Sequence, residues 1–204
     1  MKIYRNLPTE YLMDAGALFA EAFERKFSYF LGSKSTIQKI IPCLLNQDQV
    51  VSIVSDSDEL IGIAGFSYKR KNMLSVRVKT MIKEYGLIRG LYKMVQLDIY
   101  FPNSFPVGYL YVDAITIKSG YRGKGYSHLL VEELERLAFE KGITNLQLDV
   151  AYDNLSARRA YGKMGFYEAE SKDLSDQVTR RIGISKVIRM VKLLGHYQFK
   201  NNNR

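Results

Sequence analysis

The chain has 204 residues, of which 47% are hydrophobic and 25% charged, and its formal net charge is +9 at pH 7. This length and composition are typical of one folded domain over residues 1–204, and no stretch is apolar for long enough to predict a membrane span. The excess of Lys and Arg attracts anions, which include nucleic acid, an anionic membrane surface and a small ligand with several phosphates.

The N-terminus and the cysteine content indicate a cytoplasmic protein without disulfides. Residues 1–5 lack the apolar block and the cleavage site of a secretory signal. The lone Cys43 has no partner for a disulfide, and two histidines leave little material for a zinc site. We therefore expect no structural metal, and we expect Cys43 to be a small core residue.

The first third of the chain predicts a strand, two helices and a hairpin. Residues 2–6 suit a short strand, and Thr9 is the expected N-cap of a helix that carries apolar residues at helical spacing. Residues 37–45 predict a second helix that bends or ends near Pro42. Residues 50–54 and 60–66 are rich in β-branched residues and flank a polar turn, which predicts an antiparallel hairpin.

A basic segment, defined as residues 69–93, follows the hairpin. The pattern predicts helix over residues 72–98, although Gly86 and Gly90 weaken that prediction, and Pro102 and Pro106 close the segment. We interpret residues 72–106 as a helical insertion. Its charges form either a solvated helix face, which is the more common case, or a surface that binds an anionic partner such as nucleic acid.

The second half of the chain alternates strands and helices. Residues 109–117 predict a strand, a glycine-rich turn follows, and the next helix stops near Lys141 and Gly142. Residues 146–150 predict another strand, and Asn154 is the expected cap of a helix that ends near Gly165. Residues 166–171 and 187–193 predict two last strands, and residues 198–204 predict a loose tail.

The turn at residues 120–127, here called the glycine loop, joins a strand to a helix N-terminus, a place suited to phosphate. Its glycines allow close approach of the backbone, and Arg122 and Lys124 are expected to add charge. A Walker loop is excluded because Tyr126 stands where its lysine belongs. A dinucleotide fingerprint is excluded because His128 stands at its third glycine.

The remaining pattern, [R/Q]xxGx[G/A], resembles the pyrophosphate loop of the GNAT superfamily of N-acetyltransferases. Arg122 and Gly125 match it, and Ser127 departs from it only by a small side chain. A second segment is similar to the family's N-x-x-A-x-x-x-Y-x-x-x-G-F motif, with its matching residues at Asn154, Ala157, Tyr161, Gly165 and Phe166. Together the matched segments run over residues 109–166.

The resemblance implies an α/β (α+β) GNAT fold: a mixed, mostly antiparallel sheet of about seven strands, splayed between the fourth and fifth strands and flanked by helices. It implies that acetyl-CoA lies in that splay, with its pantetheine on the backbone of Ile115 and Ile117. The other residues implied in binding the coenzyme are Arg122, Gly123, Lys124, Gly125, Tyr126, Ser127 and Asn154. Arg158, Arg159 and Lys163 are candidates for the 3′-phosphate.

The resemblance also implies acetyl transfer to a primary amine of a small molecule or peptide, with Tyr161 as the general acid and Asp113 as the base. Tyr161 has the alternative role of a core ring, and Asp113 that of an ion-pair partner or a solvent-facing acid. His128 and His196 are expected to have surface or packing roles.

We expect no metal, no membrane partner, no preference for nucleic acid, and a monomer or homodimer. Two other functions stay open: a protein that binds nucleic acid or another anionic partner through the basic segment, and a non-catalytic acetyl-CoA sensor.

Overall fold

The structure is a computed structural model that describes residues 1–100 and 108–195, without the side chains of residues 99, 100 and 181. Within this part of the chain, seven strands form one sheet in the order β1-β2-β3-β4-β5-β7-β6. The strands are β1 (Lys2–Tyr4), β2 (Val50–Val54), β3 (Leu60–Ser67), β4 (Tyr109–Ile117), β5 (Asn145–Ala151), β6 (Tyr167–Asp173) and β7 (Lys186–Leu193). All neighbours are antiparallel except β4 and β5, so the predicted mixed sheet is confirmed.

Helices cover both faces of this sheet. They are α1 (Leu12–Leu31), α2 (Lys34–Leu44), α3 (Val78–Tyr85), α4 (Leu87–Tyr100), α5 (Tyr126–Glu140), α6 (Leu155–Lys163) and α7 (Asp176–Ile182). One core cluster joins α1 and α2 to one face, with Phe19, Ile37 and Ile63 among its members. The other packs α5 on the opposite face through Leu130 and Leu134. No helix among the described residues is long and apolar enough to cross a bilayer.

Two predictions about the first helices are wrong in detail. A 3₁₀ turn over Thr9–Tyr11 precedes α1, so Thr9 lies inside that turn and Pro8 occupies the capping position. In α2 the Ser33 hydroxyl accepts the Thr36 N–H, and this cap starts the helix three residues before the predicted start. Cys43 is exposed on α2 and is not a core residue, because it lies on the side of the helix that faces away from the sheet.

As far as residue 100, where its described part ends, the insertion contains two helices. Residues 72–77 are not helical, and Gly86, at φ +77°, ends α3 before α4 begins, so the single helix predicted over residues 72–98 is wrong. The two helices pack closely, since a Cβ on Gly90 would lie 2.8 Å from the Met81 carbonyl oxygen. Pro102, Pro106 and the predicted tail fall outside the described residues.

The sheet opens between its two middle strands. Only three residues of β4, Tyr109–Tyr111, pair with β5, although β4 remains paired with β3 as far as Ile117. β5 continues beside β7 along its whole length. From Val112 onward, β4 and β5 therefore diverge, which confirms the splay predicted for the sheet.

Candidate active site

A cleft of about 2560 Å³ lies where β4 and β5 diverge. Its walls come from β4, β5, the glycine loop, α6 and the inner side of α1, with part of the insertion at one end. Pockets for one drug-sized ligand are ~300–1,000 Å³. The cleft therefore has room for more than one substrate.

The open edge of β4 presents unpaired main-chain groups to this cleft. Lys118 N–H donates to the Ile61 carbonyl of β3 at 2.8 Å. In an antiparallel pair, the main-chain N–H and C=O groups of successive residues point alternately toward the partner strand and away from it. Thr116 consequently points its N–H and C=O toward β3. Ile115 and Ile117 point theirs away from β3, into the gap left by β5. The backbone of both sequence-predicted residues faces the cleft.

The glycine loop also presents free amides. Gly123 and Gly125 have φ of +76° and +85°, and a Cβ on either would meet no protein atom within 4 Å. Gly125 is the N-cap of α5, and no side chain caps that helix. Among the described residues, the amides of residues 123–127 donate to no backbone carbonyl, whereas the Arg122 amide donates to Ser119 O at 3.3 Å. The loop is therefore a concave set of N–H donors at a helix N-terminus, the arrangement that binds phosphate.

The cationic side chains of the loop are engaged elsewhere. Arg122 Nε donates to the Ile117 carbonyl at 2.9 Å, and its Nη2 lies 2.7 Å from Glu21 Oε1 on α1. The ammonium of Lys124 lies over the Tyr121 ring, 5.2 Å from its centroid. Arg122 thus ties the loop to β4 and α1. The sequence expectation that these two charges point at the phosphate does not match this arrangement.

Asn154 and α6 form the other side of the coenzyme-binding end. Asn154 Oδ1 accepts the Ala157 N–H at 3.2 Å and so caps α6, as the sequence predicted, and Asn154 also lines the cleft. Arg159 and Lys163 line the cleft as well. Arg158 instead pairs with Glu168 at 2.6 Å and does not line the cleft, so Arg159 and Lys163 are better placed for the 3′-phosphate.

Tyr161 projects from α6 into the cleft and packs its ring 5.9 Å from that of Phe166. Its hydroxyl makes no hydrogen bond within the described part of the chain. Burial raises the pKa of Tyr161 to about 12, so the phenol stays protonated at neutral pH. The arrangement combines both sequence interpretations, because the ring packs on the core while the hydroxyl remains available as a proton donor.

Asp113 lies on β4, lines the cleft, and accepts a hydrogen bond from Ser67 Oγ at 2.6 Å. Ser67 Oγ in turn accepts the Met73 N–H at 3.2 Å. Burial raises the pKa of Asp113 to about 6, against the opposing effects of the Ser67 hydrogen bond and the Lys26 ammonium. A carboxyl group that titrates near neutral pH is suited to accept a proton.

Lys26 on α1 lines the same region and was missed by the sequence reasoning. Burial lowers its pKa, while Asp113 and Asp149 act in the opposite direction. Asp149 is itself held by Arg189, with Nε 3.1 Å from Oδ1, and by a hydrogen bond with Tyr111. The signal for Lys26 was a lysine inside the apolar stripe of a helix, next to Phe27 and seven residues after Phe19.

The remaining candidates are peripheral. His128 Nε2 lies 3.3 Å from Glu132 Oε1 on the first turns of α5. His196 lies outside the described residues. Across residues 1–100 and 108–195, no three His, Cys, Asp or Glu side chains form a group that could hold a metal ion.

The chain belongs to the acetyltransferase (GNAT) family, because the model of that family matches residues 17–166. A search of curated protein sequences finds no significant match.

Solved structures with this fold include an N-acetyltransferase from Staphylococcus aureus Mu50, with a TM-score of 0.64 and 14% identity over 94% of this chain and 100% of that one. The arylalkylamine N-acetyltransferase 2 of Aedes aegypti has a TM-score of 0.59 and 16% identity, over 95% of this chain and 99% of its own. Chaetomium thermophilum Naa20, solved with a bisubstrate analogue, has a TM-score of 0.56 and 15% identity, over 95% of this chain and 87% of its own. At these identities the likeness shows the fold alone.

Proposed function

We propose that the protein transfers the acetyl group of acetyl-CoA directly to a primary amine of a small molecule or peptide. One observation carries the proposal: the unpaired edge of β4 and the free amides of the glycine loop face one cleft, beside Tyr161 and Asp113. Backbone donors suit the coenzyme, and the two side chains suit proton transfer. Membership of the family gives the transfer class.

The phosphates and the pantetheine of acetyl-CoA have chemical matches in the cleft. The amides of residues 123–127 and the N-terminus of the 15-residue helix α5 suit the pyrophosphate. The outward amide and carbonyl of Ile115 and the amide of Ile117 suit the two amide groups of pantetheine. The Ile117 carbonyl is already used by Arg122. Arg159 and Lys163 are the cations available for the 3′-phosphate.

Asp113 and Tyr161 supply the proton transfers in this proposal. Asp113, as the carboxylate, takes a proton from the acceptor ammonium, directly or through water. The amine nitrogen then forms a bond with the acetyl carbonyl carbon as the bond from that carbon to sulfur breaks. Tyr161 donates its hydroxyl proton to the departing thiolate. The Tyr161 phenolate recovers a proton from the newly acylated nitrogen, directly or through water, and Asp113 releases its proton to solvent. The products are an amide and free coenzyme A.

The test is release of free thiol from acetyl-CoA in the presence of a panel of amino acids, polyamines, aminoglycosides and peptides with free N-termini. We expect one class to release thiol with formation of an acetylated product, identified by mass spectrometry. Acetyl-CoA that binds but yields no thiol with any acceptor would instead identify a sensor. Absence of acetyl-CoA binding together with salt-sensitive binding of DNA or RNA would contradict the proposal.

A further inference from the structure

The α4 helix of the insertion has an apolar face that points to solvent. Leu87 and Leu91 lie four residues apart, as do Ile88 and Tyr92, so they fall on one side of the helix. Ile88 is 84% exposed and Tyr92 is 62% exposed. We define the apolar face of α4 as the exposed residues Leu87, Ile88, Leu91, Tyr92 and Val95.

Polar contacts beside and behind this face hold α4 against α1. Lys93 Nζ donates to the Phe30 carbonyl of α1 at 2.5 Å and lies 4.8 Å from the Tyr85 ring centroid. Gln96 is buried next to Tyr92 and donates from Nε2 to Tyr29 Oη and to Tyr92 Oη, each at 3.1 Å. Rotation of the helix to bury its apolar face would break these bonds. The outward direction of the apolar face is therefore fixed by α1, and an exposed patch of this kind is typical of a binding surface.

The helix pair that carries this face also carries exposed cations. Arg77, Lys79 and Lys83 lie at or within α3, which packs against α4, and Arg89 lies in the first turn of α4. Within residues 69–98 the acids are Glu84, which pairs with Lys39 at 2.7 Å, and Asp98. The two helices together are therefore strongly positive. A second copy of this face would bring like charges together, whereas an anionic surface would be attracted.

We propose that the apolar face of α4, together with the exposed Arg and Lys of α3 and α4, binds the surface of a membrane that contains anionic phospholipids. Apolar side chains enter the boundary between headgroups and acyl chains, and flanking cations contact the lipid phosphates. Such binding requires no membrane-spanning helix, and it departs from the sequence expectation of no membrane partner. Of this face, Val95 also lines the cleft, whereas Leu87, Ile88, Leu91 and Tyr92 do not. Binding through these four residues does not depend on the proposed acetyl transfer.

The test is co-sedimentation of the whole protein with vesicles of phosphatidylcholine alone and of phosphatidylcholine with phosphatidylglycerol at about 7:3. Each cation near an anionic surface strengthens partitioning roughly fivefold. We therefore expect binding only to the anionic vesicles, weakened more than about tenfold by Lys79→Glu with Lys83→Glu and by Ile88→Ser with Tyr92→Ser. Added salt should weaken binding in the same way.

Matched controls replace similar side chains elsewhere. Met13→Ser removes an exposed apolar side chain from α1, and Lys2→Glu reverses an exposed charge on β1. Both should bind as the parent does, and all variants should retain the parent's stabilisation by acetyl-CoA.

Three results would overturn the proposal. They are no vesicle binding, equal binding to neutral vesicles, and a dimer that forms without lipid, is detected by sedimentation and is dissociated by Ile88→Ser. The last would assign the face to a second copy of the chain.

Discussion

At the scale of single residues, two opposing influences act on the pKa of Asp113, and burial is the larger of the two. Burial in the cleft favours the neutral acid, while the Ser67 hydroxyl and the Lys26 ammonium favour the carboxylate. The groups around it come from three other elements and from its own strand: Lys26 from α1, Asp149 from β5, Ser67 from β3, and Tyr111 from β4 itself. The balance leaves a base that is ionised at neutral pH.

Replacement of Asp113 tests this role through the pH dependence of turnover. With a pKa of about 6 for the Asp113 base, kcat/KM of the parent should fall about tenfold per pH unit below pH 6. Asp113→Asn should lower kcat/KM by ~10²-fold or more and abolish this fall at acid pH. Ser67→Ala loses a hydrogen bond to the carboxylate, so kcat/KM should still fall at acid pH, but the fall should begin at a higher pH. An unchanged profile in Asp113→Asn would exclude Asp113 as the base.

Asp113→Asn should also stabilise the protein at high pH. The pKa of Asp113 in the folded protein, about 6, lies above the ~3.9 of an unfolded aspartate, so the folded state binds more protons between these values. Stability contributed by this group therefore falls as the pH rises through that window. Asp113→Asn should raise the free energy of unfolding at about pH 8 by up to roughly 3 kcal/mol and leave it nearly unchanged at about pH 4. Urea unfolding at both pH values measures the difference, and equal effects at both would contradict the buried carboxylate.

Tyr161 is tested by removal of one oxygen. Tyr161→Phe keeps the ring packed against Phe166 but removes the proton donor for the thiolate. We expect kcat to fall by ~10²–10⁴-fold, with the Kd for acetyl-CoA changed less than about twofold. Single-turnover assays and calorimetry separate the two quantities. If kcat is unchanged, Tyr161 has only the packing role that the sequence left open.

At the scale of elements, the glycine loop and α5 form one unit whose two ends can be compared. Gly125 at the start of α5 and Gly142 just after its end both have positive φ, and a Cβ at either meets no protein atom within 4 Å. Gly125→Ala and Gly142→Ala should each cost about 1–2 kcal/mol of stability through backbone strain. Only Gly125→Ala places a methyl group where the pyrophosphate is proposed to bind.

Gly125→Ala should therefore weaken acetyl-CoA binding by more than about tenfold, and Gly142→Ala should leave it unchanged. Equal Kd values for the two variants would contradict the loop as the phosphate site. Thermal unfolding of both variants without ligand measures whether the two substitutions destabilise the fold to a similar extent.

The sequence predicted elements best where one local signal dominates. Two predictions were correct because their causes lie within a few residues. They are β4, predicted from its run of aromatic and β-branched residues, and the Asn154 cap of α6. The break at Gly86 was not predicted, since a glycine at φ +77° and a tolerated helix glycine look alike in sequence. The sequence did not predict that Lys26 lies near Asp113 or that Arg122 pairs with Glu21. Both contacts depend on packing between distant segments, which no local pattern contains.

At the scale of the whole molecule, ligand binding in the cleft should stabilise the entire fold. The sheet is joined across its middle by only three residue pairs, and a ligand that contacts both β4 and α6 would connect its two halves. At about 100 times its Kd, acetyl-CoA should raise the free energy of unfolding by about 2.7 kcal/mol. For a chain of this size this corresponds to a Tm increase of ~5–10 °C.

Differential scanning fluorimetry measures this shift, and a comparison of CoA with dephospho-CoA isolates the 3′-phosphate. Loss of the 3′-phosphate should reduce the shift if Arg159 and Lys163 bind that group, and the double variant Arg159→Ala with Lys163→Ala should then make CoA and dephospho-CoA equivalent. No shift with any coenzyme would remove the basis of the proposed transfer.

The open edge of β4 has an evolutionary consequence. In the proposed binding mode, the coenzyme is recognised mainly by main-chain N–H and C=O groups of β4 and the glycine loop, which every residue other than proline carries. Mutations that exchange side chains at Ile115, Ile117, Lys124 or Tyr126 leave those groups in place. The gene can therefore drift far in this region while retaining the donor substrate. Selection for a new acceptor can act on the helices around the other end of the cleft without loss of acetyl-CoA binding.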